Sequence, residues 1–183
     1  LRHWYVDPID GTLNFSHGIP ISCVSIALQV DSQSMVGVVY DPYRDEMFSA
    51  RRGHGARLNG ESIRVSSEPE VAESLLVTGF PPSANDELEA NLKNFAELTR
   101  RSRGIRRLGS AALDLAYVAS GRLDGFWEYG LNPWDTGAGY LLVEEAGGRV
   151  TQIDAEPFDI FDPSILATNG RIHGDIIDIL STL

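Results

Sequence analysis

One stretch constrains this chain more than any other: Trp4-Tyr5-Val6-Asp7-Pro8-Ile9-Asp10-Gly11-Thr12. Trp4-Tyr5-Val6 is aromatic and β-branched, the make-up of a buried strand. It runs at once into two turn dipeptides, Asp7-Pro8 and Asp10-Gly11, each carrying a carboxylate. Pro8 biases Asp7 toward extended backbone, and Gly11 permits a tight turn and close approach of a ligand to the main chain. Two acids are thereby held at a strand end with Thr12 beside them. Carboxylates so placed repel unless a cation or proton lies between them. All-oxygen donors of this kind suit Mg²⁺ or Mn²⁺ better than Zn²⁺.

Two lookalikes fail on spacing. An EF-hand loop needs acids at alternate positions and a closing Glu. An aspartyl-phosphate phosphatase needs Asp-x-Asp and a lysine near the phosphate, whereas Asp7 and Asp10 are three apart and Lys93, the only lysine, falls in an expected surface helix. The net charge of −11 over 183 residues argues against nucleic-acid binding through a basic surface. Cys23 is the only cysteine, which excludes a disulfide framework and a thiolate metal cluster, and its apolar setting reads as an inert buried thiol. No apolar run is long enough for a membrane span, and no signal peptide precedes the first strand. A cytoplasmic protein is expected. The chain starts at Leu1, a few residues before a core strand, so it reads as a piece of a longer protein.

Along the chain, residues 13–19 fit a loop or short helix. Strands are expected over residues 22–30, 35–40 and 46–50, an antiparallel meander by its turn spacing. Glycine turns at Gly53-His54-Gly55 and Leu58-Asn59-Gly60 join further short strands. His54 is a turn residue on this reading, because no second His lies at metal-binding spacing. After a strand at residues 75–78, a helix over residues 85–101 places Leu88, Leu92, Phe95 and Ala96 on one face. Arg100, Arg101, Arg103, Arg106 and Arg107 form the one basic cluster, read first as a solvated edge, with a subunit or nucleic-acid contact as the alternative. A strand at residues 105–108 leads to Gly109-Ser110-Ala111-Ala112, the start of a helix ending near Gly121. Small residues at such a start allow close packing, the reading favoured here, while its free N–H groups would attract anions. A strand follows over residues 123–128. Asn132-Pro133-Trp134-Asp135 opens one helix running to Ala146, with Asn132 as N-cap and Pro133 in its first turn. Strands at residues 149–153 and 165–167 and a last helix over residues 171–183 complete the chain.

At this point a resemblance becomes specific. WYVDPIDGTLNF, residues 4–15, is similar to the first signature of the inositol monophosphatase family. PWDTGAG, residues 133–139, followed by Glu144-Glu145-Ala146-Gly147-Gly148, is similar to the second. The intervening Gly53-His54-Gly55-Ala56, Leu58-Asn59-Gly60 and Gly109-Ser110-Ala111-Ala112 fall in register, and Asp124-Gly125-Phe126-Trp127-Glu128 is most similar to bacterial members. The resemblance spans essentially the whole chain. It implies a layered αβαβα sandwich of the sugar-phosphatase type (α+β or α/β in class), here lacking its N-terminal helices and first strands. Approximate regions are 1–80, around the metal-site sheet, and 81–183. It implies Mg²⁺-dependent hydrolysis of a small phosphate monoester, using two or three ions with Mn²⁺ as a substitute, and a homodimer in the full-length protein.

Carried onto this sequence, the resemblance makes Asp7 a bridge between two metals, adds the Ile9 carbonyl to the first, and gives the second to Asp10 and Asp135. Asp10, Gly11, Thr12, Gly109, Ser110, Ala111 and Asp135 would meet the substrate, with Thr12 also orienting the attacking water. Glu128, seven positions before Asp135, would accept hydrogen bonds from the sugar or cyclitol hydroxyls. Leu13 stands where many members carry Thr, and Gly137 where Ala is commoner. The family's upstream Gly-Glu-Glu, whose first Glu ligates metal and activates water, has no counterpart in these residues, so the piece is expected to be impaired. Inositol monophosphate is the expected substrate. Histidinol phosphate, fructose 1,6-bisphosphate, a nucleotide phosphate, or an accessory role in RNA processing or transcription are the alternatives.

Overall fold

The computed structural model describes residues 1–80 and 86–181. The first sheet is the expected meander, six antiparallel strands in chain order. These are β1 (Arg2–Asp10), β2 (Cys23–Val30), β3 (Gln33–Asp41), β4 (Glu46–Arg51), β5 (Ala56–Leu58) and β6 (Glu61–Ile63). A five-residue helix, α1 (Thr12–Ser16), lies between β1 and β2. The second sheet contains β7 (Leu75–Thr78), β8 (Gly104–Arg106), β9 (Gly125–Tyr129), β10 (Arg149–Thr151) and β11 (Ser164–Thr168), in the order β10-β11-β9-β7-β8. β7 runs parallel to both β8 and β9, while β11 is antiparallel to β9 and β10. Parallel neighbours need crossovers, and helices α2 (Asp86–Arg101) and α3 (Ala111–Ala119) supply them.

Two apolar cores result. One joins the sheets through α3 and α5 (Gly139–Glu145): Leu113, Leu115, Leu141 and Leu142 meet Val39 and Phe48 on one side and Phe126 and Ile165 on the other. The second lies beyond the five-stranded sheet, where Leu76, Trp127 and Leu166 meet Leu98 of α2 and Ile176 and Leu180 of α6 (His173–Leu180). Phe126 and Trp127, adjacent in β9, therefore serve different cores, as strand alternation requires. The layer order is α, β, α, β; the outermost α layer of the expected sandwich is not among the described residues. None of the described helices is long and apolar enough to cross a membrane.

Several expectations change. Trp4 and Val6 are not buried; they are 63% and 50% exposed. They align with Leu28–Val36 and Ile26–Val38 across β2 and β3, an apolar ladder on the outer face of the first sheet. The inner face of β2 is Cys23, Ser25, Ala27 and Gln29, small or polar enough for α3 and α4 to pack close. Asn85 at the start of α2, and Thr182 and Leu183 at the end of the last helix, lie outside the described residues. In α2 the inward residues are Asn91, Asn94 and Leu98, while Leu92 is 43% exposed. Asn91 accepts from the Trp127 indole N–H at 2.6 Å, and Asn94 donates to the Tyr129 hydroxyl at 3.1 Å. Polar partners on β9 thus share the inner face with the apolar stripe that periodicity suggested: Phe95 packs against the second core, and Leu92 does not turn inward. The helix expected over residues 133–146 is divided into α4 (Pro133–Thr136) and α5. At the break the helical segment crosses the first sheet so closely that a Cβ on Gly37 would lie 2.8 Å from the Ala138 carbonyl.

His173 is buried with its two ring nitrogens each 2.9 Å from a threonine hydroxyl, Thr151 and Thr168. A neutral imidazole satisfies both contacts by donating at one nitrogen and accepting at the other. Burial, and then Arg149, push its pKa down to about 4. Between pH 6.5 and 4 the unfolded chain binds the proton more readily, so stability is present above 6.5 and is lost as pH falls toward 4. The loss should be about 3 kcal/mol from pH 7 to pH 4. Urea unfolding of the protein and of His173→Asn at both pH values checks this: the substituted protein should lose less, and equal losses would assign the acid sensitivity elsewhere.

Candidate active site

In a regular strand, residues three apart face opposite sides. Asp7 pairs with Ser25 and Asp10 with Cys23, so β1 spends three steps where β2 spends two. That bulge re-aims Asp10 and brings both acids to one side. The Asp7 Oδ1 accepts from the Ile9 N–H at 3.0 Å, so the bulged segment orients its own carboxylate. Gly11 then leaves the strand at φ +85°, and α1 begins. Asn14 of α1 donates to the Ile21 carbonyl at 3.0 Å and to the Leu108 carbonyl at 2.8 Å, fastening this turn to the approach of α3.

Asp135 arrives from the far end of the chain. Ser25, the strand partner of Asp7, donates to the Trp134 carbonyl at 3.0 Å and seats α4 on the first sheet. The Asp135 Oδ2 accepts from the Asn132 N–H at 2.8 Å. Asp7, Asp10 and Asp135 thereby offer one oxygen each within 4.8 Å of one another. The start of α3 supports Asp10: its Oδ2 accepts from the Ser110 hydroxyl at 2.6 Å and from the Ala112 N–H at 2.8 Å. Burial, with Asp7 adding repulsion, still holds the Asp10 carboxyl above its ordinary range against those hydrogen bonds. Burial raises Asp135 to about 6, with Asp10 and then Asp7 contributing. Three acids crowded together, each with an oxygen anchored by the chain, form a set of hard oxygen donors that fits Mg²⁺ or Mn²⁺.

Beside the triad opens a cleft of about 260 Å³, lined by Asp10, Gly11, Thr12, Gly109, Ser110, Ala111, Glu128 and Asp135 among others. All the residues expected to meet substrate therefore share one cleft, while Asp7 and Ile9, in the bulge, are not among its lining residues. Glu128 is 8% exposed, and burial, then Asp10 and Asp135, raise its pKa to about 8. Gly79 makes room for it, since a Cβ there would collide with the carboxylate. Cys23 is buried behind Asp10, its thiol pushed well up by burial and then by Asp10, in keeping with an inert role.

Three features here were not read from the sequence. The α3 start, read as close packing or an anion site, holds the Asp10 carboxylate. Asp114, on the same helix, lines the cleft. The arginine cluster divides: Arg100 and Arg101 pair with Glu97 and Arg103 with Glu73, whereas Arg107 lines the cleft with its guanidinium 5.9 Å from the centre of the Phe80 ring. Only the adjacency of Arg107 to Gly109-Ser110 hinted at that. His54 is a turn residue as expected: the N–H groups of Gly53, His54 and Gly55 all donate to the Glu145 carboxylate.

Comparison with known proteins places this geometry among relatives. A family model described as the inositol monophosphatase family matches residues 1–183. The chain is 49% identical over 178 residues to an inositol-1-monophosphatase of Synechocystis sp., covering 97% of this chain and 62% of that protein. It is 45% identical over 175 residues to the Nus factor SuhB of Haemophilus influenzae, covering 96% of this chain and 66% of that one. It spans less than two thirds of the length of these curated relatives. Among solved structures, an inositol monophosphatase from Anabaena superposes with a TM-score of 0.93 at 49% identity, covering all of this chain and 72% of its own.

Proposed function

The chain belongs to the inositol monophosphatase family, and from that premise we propose that it hydrolyses the phosphate monoester of a small polyol, inositol monophosphate foremost, with Mg²⁺ held by Asp7, Asp10 and Asp135. The observation that carries this reading is the triad: three carboxylates from two distant segments, converging within 4.8 Å beside a cleft. The bound ions would supply positive charge for the phosphoryl oxygens and a water of lowered pKa. The protein's share is positioning. Asp7 and Asp10 are held by the β1 bulge, with the Ile9 carbonyl beside them as a further ligand, and Asp135 is held by Asn132. Gly11 and Thr12 offer main-chain N–H groups to the phosphate, Thr12 orients the water, and Gly109, Ser110 and Ala111 shape the wall. In-line displacement then needs placement and charge neutralisation, with no protein nucleophile.

Glu128 faces the alcohol half and accepts its hydroxyls. Above pH 8, where the Glu128 carboxyl is charged, Glu128→Gln should therefore weaken hydrolysis of inositol 1-phosphate by about 1.5–3 kcal/mol, the usual scale for a hydrogen bond to a charged group. Hydrolysis of p-nitrophenyl phosphate should change far less. Steady-state kinetics on both esters tests this, and equal losses would show that Glu128 does not read the alcohol. The accessory role suggested by SuhB-named relatives draws little from this fold. Three of the five clustered arginines are ion-paired, and a fourth faces the cleft rather than a common basic surface.

A further inference from the structure

Asp114 is 1% exposed in the wall of the cleft, and its Oδ1 has no hydrogen-bond partner among the described residues. Its neighbours differ. Asp7 is anchored by Ile9, Asp10 by Ser110 and Ala112, Asp135 by Asn132, and Glu128 by the Gly79 N–H. A buried acceptor left unmade is costly, and such exceptions in folded proteins call for an explanation. Asp114 lies four residues after Ser110 on α3, hence on the same helix face as the hydroxyl that holds Asp10. After burial, Glu128 and then Asp10 do most to resist its ionisation, and Arg107 opposes them. The two carboxyls and one guanidinium thus act on a single small volume beside the triad.

Resting on the phosphatase reading, we propose that Asp114 is a further specificity-determining residue, pairing with Glu128 to receive hydroxyl hydrogens of the substrate's alcohol half. Each hydroxyl both donates and accepts. Asp114 and Glu128 provide acceptor oxygens, which a carboxyl retains even when neutral, and Arg107, which has no ion pair among the described residues, provides donors. The ligand that satisfies all three is a neutral polyol with neighbouring hydroxyls. A bare aryl or alkyl alcohol leaves the buried acceptors unmet, and a cationic amino alcohol is opposed by Arg107. The plain alternative is that Asp114, in the first turn of α3, merely complements the helix dipole; that role would alter stability without altering choice of ester.

The test is kinetic discrimination in the complete protein with Mg²⁺, using inositol 1-phosphate and p-nitrophenyl phosphate, for the unsubstituted enzyme, Asp114→Asn and Asp114→Leu. We expect Asp114→Leu to lower kcat/KM at least tenfold on the inositol ester, mainly through KM, and less than threefold on the aryl ester. Asp114→Asn keeps the shape and half the acceptor capacity, so it should fall between and remain readable if the leucine variant does not fold. Equal losses on both esters, or none on either, would overturn the inference while leaving the phosphatase reading intact. If the unsubstituted protein hydrolyses neither ester, that reading fails and the inference falls with it.

Discussion

Asp7→Asn, Asp10→Asn and Asp135→Asn should each lower Mg²⁺-dependent phosphate release by roughly 10²–10³-fold, the scale of removing one element of a preorganised electrostatic site. The fold should survive all three. Asparagine keeps the shape of the side chain, and at Asp10 and Asp135 it removes a carboxyl that burial and its neighbours already push above its ordinary range. Without metal, then, these two variants should be as stable as the unsubstituted protein or more so, because fewer acids crowd the site. The contrast appears on adding Mg²⁺. A ligand that binds only the folded state stabilises in proportion to RT ln(1 + [L]/Kd), so the unsubstituted protein should gain melting temperature with Mg²⁺ and the variants should gain little. Melting curves with and without Mg²⁺, alongside phosphate release, separate a lost metal site from a lost fold. Near-normal turnover in any two variants would refute the triad as the metal site.

Gly11→Ala should be among the most damaging single-methyl changes in the chain. Gly11 sits at φ +85°, where an L side chain costs about 1–2 kcal/mol. A Cβ there would also lie 2.9 Å from the Ile21 carbonyl, 3.2 Å from the Gly109 carbonyl and 3.3 Å from the Ser110 Cβ. Two of these are backbone atoms that cannot swing aside, and overpacking of this kind adds about 1–3 kcal/mol. Relief requires moving the Gly109-Ser110 segment, whose serine holds Asp10, so activity should fall with stability. Gly53→Ala is the control. Gly53 has φ +77°, and a methyl group added there would meet nothing within 4 Å, so it should show the conformational cost alone. Urea unfolding of both variants measures the difference; equal destabilisation would show that crowding at Gly11 is immaterial.

The features legible beforehand were those set by local chemistry. Turn spacing gave the meander, and the Asn132-Pro133 pair gave the start of α4. Asp7-Pro8 and Asp10-Gly11 marked an acidic strand end, although the strand proved longer than Trp4-Tyr5-Val6, reaching Asp10 through its bulge. Where long-range packing decided, local pattern misled. The apolar periodicity of α2 favoured Leu92, but Trp127 and Tyr129 of β9 draw Asn91 and Asn94 inward instead. Five arginines close in sequence looked like one surface, yet the path from α2 through β8 into the α3 approach sends them to different environments.

The sequence by itself determined which acids would be held at a strand end, because Pro and Gly beside a carboxylate restrict the backbone within a few residues. It also determined the family, since two long motifs in register leave little freedom. Only the tertiary structure decided what those acids touch. Asp10 meets Ser110 and Ala112, about a hundred residues away, because α3 is packed between the two sheets. Trp4 and Val6 face outward because the inner side of β2 is made of the small residues that let the helices approach. Asp114 stands with an oxygen unpartnered among the described residues because the helix that delivers Ser110 to Asp10 also carries its neighbour, one turn later, into the same cleft. Periodicity says that a side chain faces inward, but the opposing layer decides whether it meets a partner there.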